Sequence, residues 1–338
     1  MGSSATIGVI GAGAWGTALA KAAADRGETV RLWAREAEVV DAIATRRENT
    51  LFLPGVKLPE SVAPTGSLTE FRDVELAILA VPAQFLRAVA SALAPTLAQR
   101  PPLVIAAKGI ETDSGRLMSE IVADLVPKSP IAILSGPSFA REVADGLPAA
   151  LTLACADRAL ADSLALRLGS PKLRLYTSPD IVGAQIGGAV KNVLAIACGI
   201  ATGRGLGENA RAALITRGMA EMTRLSQSLG GSAETLLGLC GIGDVVLTCM
   251  SATSRNFSVG LALGEGRTLA EALAGKRSVA EGVASAAAVV RRARSAGVAM
   301  PIAEAIDAIL NRGAGIDETI AQVLARPLAK EEVSVRRG

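Results

Sequence analysis

Short aliphatic runs recur through the first half of the chain, at residues 6–10, 29–33, 76–81, 103–106, 131–134, 149–154 and 172–176. Most stop close to a Gly, Pro, Ser or Asp, the pattern of a buried strand meeting a turn. Between several of them the apolar positions fall at helical spacing, over 15–26, 36–46, 84–94, 114–125, 138–145 and 158–168. Strands alternating with helices predict an α/β fold with a doubly wound, mostly parallel sheet, whose ligand sits beyond the carboxyl ends of the strands.

After about residue 180 the strand signal fades and Ala/Leu/Ile-rich helical segments take over. In 213–229, Leu214, Met222, Leu225 and Leu229 share a helical face, and Pro301 opens a helix bearing Ile302, Ile306, Ile309 and Leu310. Asp317 reads as the cap of a last helix through Ile320, Val323 and Leu324. The expected organisation is a dinucleotide-binding domain over 1–180, an all-α domain over 181–330 and a charged tail over 331–338. The window 183–203 holds a single charge, Lys191, yet it is rich in Gly and carries Gln185 and Asn192 without a basic flank. It reads as a buried helix, and no membrane span is expected.

Composition narrows the chemistry. The 338 residues are 50% hydrophobic but only 2% aromatic, so the cores are built from small aliphatic side chains. A net charge of +3 with no basic block argues against nucleic acid as a partner. There is no histidine. That removes a Ser-His-Asp triad and a His-ligated metal, and leaves proton transfer to Lys, Asp, Glu, Tyr or Cys. Cys155, Cys198, Cys240 and Cys249 form no C-x-x-C pair, so no metal site is expected. Unpaired thiols and the lack of a charged n-region in residues 1–10 suit the cytoplasm.

The first strand, Thr6-Ile7-Gly8-Val9-Ile10, runs directly into Gly11-Ala12-Gly13-Ala14-Trp15-Gly16 and an Ala-rich helical stretch. A G-x-G-x-x-G in that setting marks a Rossmann-like dinucleotide site. Gly11 permits the tight turn, Gly13 the approach of a pyrophosphate, and Gly16 the close packing of helix on strand. The second strand leads to Arg35 and Glu36. Arginine there favours the 2′-phosphate of NADP, whereas the neighbouring acid leaves NAD open.

Lys191 is the best candidate for acid–base chemistry. It lies in an apolar helix, where burial disfavours its charged form, and the glycines one turn earlier are expected to open the helix surface to a ligand. The alternatives are a snorkelling lysine or one paired with a carboxylate. Lys108 follows a strand and falls near the nicotinamide end of a cofactor. Ser138, in Ser135-Gly136-Pro137-Ser138, is either a ligand contact or a helix cap. Asp244, after Gly241-Ile242-Gly243, either orients a lysine or caps a helix. Ser254-Arg255-Asn256 suits a phosphate, with a surface arginine as the alternative.

These pieces together resemble the bacterial NAD(P)-dependent glycerol-3-phosphate dehydrogenases. The likeness runs in order through residues 11–20, Phe52-Leu53-Pro54, Lys108-Gly109, 135–140, 187–192, 209–217, 241–244, 254–256 and Val279-Ala280-Glu281-Gly282. Ala107 and Ser138 stand where the family often has Thr. The resemblance implies a Rossmann domain followed by a helical domain, NADP or NAD as cofactor, and interconversion of sn-glycerol 3-phosphate and dihydroxyacetone phosphate, a small phosphorylated substrate. It also implies a homodimer and a supply of glycerol 3-phosphate to phospholipid synthesis. By resemblance, Ala14, Trp15, Arg35, Lys108, Ala140, Arg255, Val279 and Glu281 contact the cofactor. Lys108, Gly136, Ser138, Lys191, Asp244, Ser254, Arg255 and Asn256 contact the substrate, and Lys191 is the proton acceptor. A hydroxyacid dehydrogenase of related fold would carry Asn four residues after the lysine, where Ala195 stands. A non-catalytic nucleotide sensor would have little use for Lys191, Asp244 and Arg255 together.

Overall fold

A computed structural model describes residues 6–274 and 280–326. Val279, the ends of the chain and the expected tail over 331–338 lie outside the described residues. The described chain divides into two compact units. One comprises the residues up to Lys108 together with Leu117–Ile181, the other Gly109–Arg116 together with the residues from Val182 on.

The first unit holds an eight-stranded sheet: β1 (Thr6–Ile10), β2 (Thr29–Trp33), β3 (Val62–Thr65), β4 (Leu76–Leu79), β5 (Leu103–Ile105), β6 (Ile131–Ser135), β7 (Ala149–Cys155) and β8 (Leu173–Ser178). The order is 3-2-1-4-5-6-7-8, with only β6 and β7 antiparallel. The first six strands have the dinucleotide-binding order, which reverses beside β1 and leaves a crevice at its carboxyl end. The helices are α1 (Ala14–Ala24), α2 (Ala37–Arg46), α3 (Leu86–Leu93), α4 (Met118–Leu125), α5 (Ala140–Ala144) and α6 (Arg158–Leu168). Ile7, Val9, Leu32, Leu76, Ile78 and Val104 pack in the aliphatic core that the composition demands.

Two features escaped the sequence reading. β3 is a short edge strand that contains Pro64, a residue that cannot donate to a ladder and so masked the strand signal. The expected helix over 114–125 begins only at Met118. Before it, the chain turns at residues 112–114, and Gly115 has φ +70°, outside the helical region. The segment Gly109–Arg116 groups with the second unit because Thr112 Oγ1 donates to the Ala284 carbonyl (3.3 Å) and Arg291 Nη1 to the Asp113 carbonyl (2.6 Å).

The second unit is helical and no strand lies in it among the described residues. Its helices are α7 (Ile181–Gly203), α8 (Gly207–Ser228), α9 (Ala233–Leu236), α10 (Asp244–Cys249), α11 (Arg255–Gly264), α12 (Leu269–Leu273), α13 (Glu281–Ser295), α14 (Pro301–Arg312) and α15 (Ile316–Leu324). α7 is long and apolar enough to cross a membrane, but 89% of its most apolar window is buried inside the protein. Glycines set how closely its neighbours approach. A Cβ on Gly199 would lie 2.2 Å from the Phe257 carbonyl oxygen, and one on Gly260 would lie 2.1 Å from that of Ile196. α7 and α11 therefore cross backbone to backbone, which replaces the bulk that aromatic residues would otherwise supply. At the end of the chain Asp317 is not the cap expected of it. Gly315 occupies that position, and Asp317 sits in the first turn of α15 with Arg204 at 2.9 Å.

The start of α14 is capped from another helix. Met300 offers no side-chain cap and Pro301 has no N–H, so Glu221 of α8 accepts from Ile302 N (2.8 Å) and Ala303 N (3.4 Å). Burial pushes the Glu221 carboxyl up to about 7, against these backbone bonds and Arg224, with Glu304 adding a smaller push. An ordinary glutamate ionises near 4.5, so between the two values the folded chain holds a proton that the unfolded chain has released. Stability therefore falls as pH rises through that window. We expect the wild type to lose up to roughly 3 kcal/mol relative to Glu221→Gln between pH 5 and pH 8. Urea unfolding of both proteins across that range checks it, and a pH-independent difference would refute it.

Candidate active site

In the sheet unit the G-x-G-x-x-G turn has the geometry its glycines permit. Gly11 has φ +114°, and a Cβ there would lie 2.8 Å from the Ala80 carbonyl carbon. A Cβ on Gly16 would lie 1.8 Å from the Gly11 carbonyl oxygen, so α1 packs directly against the turn. Gly13 is different: its Cβ position meets nothing within 4 Å. Gly13 is also the N-cap of α1 and provides no capping side chain. The helix start is thus an open cradle of backbone N–H groups beside a glycine that keeps it clear, the arrangement that receives a pyrophosphate. Trp15 carries a buried indole N–H with no partner among the described residues, a donor waiting for an acceptor. Both features fit a dinucleotide.

At the end of β2, Arg35 donates through Nε (3.1 Å) and Nη2 (2.8 Å) to a single oxygen, Oε1 of Glu36. Its guanidinium carbon lies 5.7 Å from the centre of the Phe85 ring. The arginine remains exposed, so a 2′-phosphate could reach it. At the ends of β5 and β6, two side chains converge on one atom. Lys108 Nζ (2.9 Å) and Ser138 Oγ (3.1 Å) both donate to the Gly136 carbonyl. Ser138 is not the cap of the following helix. Phe139 holds that position and Ala140 opens α5. Gly136 has φ +140°, and a Cβ there would press on Leu151.

In the helical unit Lys191 points into a polar pocket of its own. Its Nζ donates to Asp244 Oδ1 (2.6 Å) and to Thr248 Oγ1 (3.0 Å). Asp244 is fully buried. It opens α10 after a π-helical turn, Leu239–Gly243, and is not the N-cap, which is Gly243. Thr248 lies one turn further along α10, on the same face. Burial disfavours the ammonium, but a carboxylate at 2.6 Å favours it, so the lysine is not the isolated charge that its apolar helix suggests. Gly187, one turn before Lys191, does not open the helix to a ligand. A Cβ there would lie 2.1 Å from the Cys240 carbonyl oxygen, so the glycine lets the π-helical turn dock.

Asn192, adjacent to Lys191, accepts from Asn256 Nδ2 (2.9 Å), and Asn256 Oδ1 accepts from Gly282 N (2.9 Å). Ser254 caps α11 by accepting from Phe257 N, Arg255 is exposed at the first turn, and Glu281 opens α13. Thr248 is the member of this cluster that sequence reasoning missed. Its signal was the i, i+4 spacing from Asp244. All four cysteines are buried and free. The Cys249 thiol is pushed well up, first by its hydrogen bond with Cys198 and then by burial.

Comparison with known proteins finds one family along most of the chain. Residues 6–161 match the family described as NAD-dependent glycerol-3-phosphate dehydrogenase N-terminus, and residues 180–321 its C-terminus. A glycerol-3-phosphate dehydrogenase [NAD(P)+] of Caulobacter vibrioides is 55% identical over 96% of this chain and 98% of its own. One from Parvibaculum lavamentivorans is 51% identical at the same coverage. A crystal structure of glycerol-3-phosphate dehydrogenase from Coxiella burnetii superposes with a TM-score of 0.92 at 38% identity, covering 96% of this chain and 99% of its own.

The buried pair makes a direct prediction. Asp244→Asn strands a buried ammonium and should destabilise the protein by roughly 3–5 kcal/mol, while Lys191→Met combined with Asp244→Asn should recover most of that loss. Denaturant midpoints of the three proteins decide it. Equal midpoints for the wild type and Asp244→Asn would mean that the pair carries no net energy.

Proposed function

The chain belongs to the NAD-dependent glycerol-3-phosphate dehydrogenase family, and from that premise we propose that Lys191 is the proton donor and acceptor of its reaction. The protein is an oxidoreductase that interconverts dihydroxyacetone phosphate and sn-glycerol 3-phosphate with NAD(P). The observation that carries the lysine's role is its Nζ, held 2.6 Å from a fully buried carboxylate in a chain without histidine.

Bound NAD(P)H supplies the hydride to the substrate's C2 carbonyl carbon. As charge builds on the C2 oxygen, Lys191 delivers a proton to it, and in the reverse direction Lys191 takes the C2 hydroxyl proton. Asp244 and Thr248 fix the ammonium by accepting two of its hydrogens, which orients the Nζ for proton transfer. Arg255, exposed and planar, is the group we assign to the phosphate. Asn256 supports it with its second amide hydrogen, the first being used on Asn192. Ser254 acts beside them as the cap that fixes the start of α11.

For the cofactor we assign the turn at Gly11, Gly13, Ala14, Trp15 and Gly16, together with Arg35, Lys108, Ala140 and Glu281. Val279 belongs to the same assignment by resemblance alone. We assign Lys108, Gly136 and Ser138 to the substrate as well. NADPH is the cofactor we favour, because Arg35 stands at the end of β2. The same reading extends to a cytoplasmic homodimer whose product serves phospholipid synthesis, and four reduced thiols support that compartment.

Wild type mixed with dihydroxyacetone phosphate should consume reduced nicotinamide. Lys191→Ala, folded by circular dichroism, should lose roughly 10²–10⁴-fold in kcat. An unchanged kcat would remove the lysine from the chemistry. Glu36 occupies the donors that a 2′-phosphate would use, so Glu36→Gln should raise the NADPH-to-NADH ratio of kcat/KM by up to roughly tenfold. Arg35→Gln should lower it. Steady-state kinetics with both cofactors test the pair.

A further inference from the structure

Beneath the dinucleotide turn lies a fully buried polar cluster that none of the assignments above uses. Asn49 and Thr17 are both completely shielded from solvent. Asn49 Nδ2 donates to the Ala12 carbonyl (2.8 Å) and to Thr17 Oγ1 (2.8 Å), and Asn49 Oδ1 accepts from Phe52 N (3.0 Å). Thr17 Oγ1 donates in turn to the same Ala12 carbonyl, at 3.3 Å. The orientation of the amide is fixed by its partners. A backbone N–H can meet only the oxygen, and a carbonyl can meet only the nitrogen. The asparagine sits at the head of the segment leading into Phe52-Leu53-Pro54, whose presence near the turn had no role so far.

The cluster grips the middle of the G-x-G-x-x-G motif. Ala12 and Gly13 share one planar trans peptide, in which the carbonyl and the following N–H point in opposite directions. Two donors from the buried side hold the Ala12 carbonyl inward, so the Gly13 N–H must face outward. Gly13 adds no bulk of its own there, and its Cβ position meets nothing within 4 Å. Without those donors the peptide plane could rotate, since glycine at position 13 imposes little restraint of its own.

We infer that Asn49 and Thr17 are positioning residues for the dinucleotide: they lock the Ala12–Gly13 peptide with its N–H turned toward the pyrophosphate. The inference rests on the cofactor assignment under Proposed function. It requires that loss of either donor weakens nucleotide binding and leaves the handling of dihydroxyacetone phosphate alone.

Wild type, Thr17→Ser, Thr17→Val and Asn49→Asp are titrated with NADPH and with NADH in the absence of substrate, following nicotinamide fluorescence. Thr17→Val keeps the shape and loses the hydroxyl. Asn49→Asp keeps the acceptor for Phe52 N and loses both donors. Each should raise Kd for both nucleotides roughly tenfold, the value of about one hydrogen bond. Thr17→Ser should bind like the wild type. At saturating cofactor, kcat and KM for dihydroxyacetone phosphate should not move. Thr17→Val decides the matter if the buried aspartate prevents Asn49→Asp from folding. Unchanged Kd in folded Thr17→Val overturns the inference even if its Tm falls, because the cluster is then only structural. A wild type that binds neither nucleotide overturns the cofactor assignment and this inference with it.

Discussion

The helical unit is organised around a charge that has been taken out of water. Lys191 is the single charge in a helix dominated by Gly, Ala, Val, Leu and Ile, and Asp244 and Thr248 receive its buried ammonium. That requirement fixes the surroundings. α10 must begin at Asp244, one turn must separate Asp244 from Thr248, and the π-helical turn before α10 must come within touching distance of α7. Gly187 allows that approach, since any side chain there would meet the Cys240 carbonyl. Asn192, next to Lys191 on α7, accepts from Asn256 of α11, so the polar contacts continue from one helix to the other. A lysine held this tightly has little rotamer freedom left to lose, which is what the proposed proton transfer needs.

The sheet unit solves its recognition problem with backbone. Its nucleotide turn offers N–H groups and open space, and the side chains that matter nearby are small. Gly11 and Gly16 bring strand, turn and helix into direct contact, and the Asn49–Thr17 cluster donates twice to the Ala12 carbonyl between them. The two units share a principle despite their different folds. In both, glycine permits close approach and a buried polar side chain then fixes what has been brought close. The composition fits this economy: with so few aromatics, packing density comes from backbones that nearly touch.

Where the sequence reading held, the signal was local. The turn after β1 depends on residues within a single hexapeptide, and the pairing of apolar runs with helical stretches gave the sheet and its helices to within a few residues. Where it departed, one residue type had two available uses. Ser138 could cap or contact a ligand, and it is not the cap but donates back to the Gly136 carbonyl. Asp317 could cap α15, but Gly315 does. Gly187 could open a surface, yet it admits a neighbouring turn. β3 was lost because Pro64 breaks the strand pattern while still fitting an edge. Nothing in the local pattern ties Gly109–Arg116 to α13, because the bonds that do so span more than 170 positions in the chain.

The sequence by itself determined the periodicities, the glycine turn, the absence of histidine and the single charge in a long apolar helix. These are properties of neighbours along the chain, and they suffice for fold class and cofactor class. Tertiary structure alone decided which carboxylate meets Lys191, that Thr248 joins it, and that Asn49 reaches 37 positions back to hold Ala12. Those pairings depend on distance in space. A buried donor takes whichever acceptor the packed backbone brings within about 3 Å, and spacing along the chain does not record it.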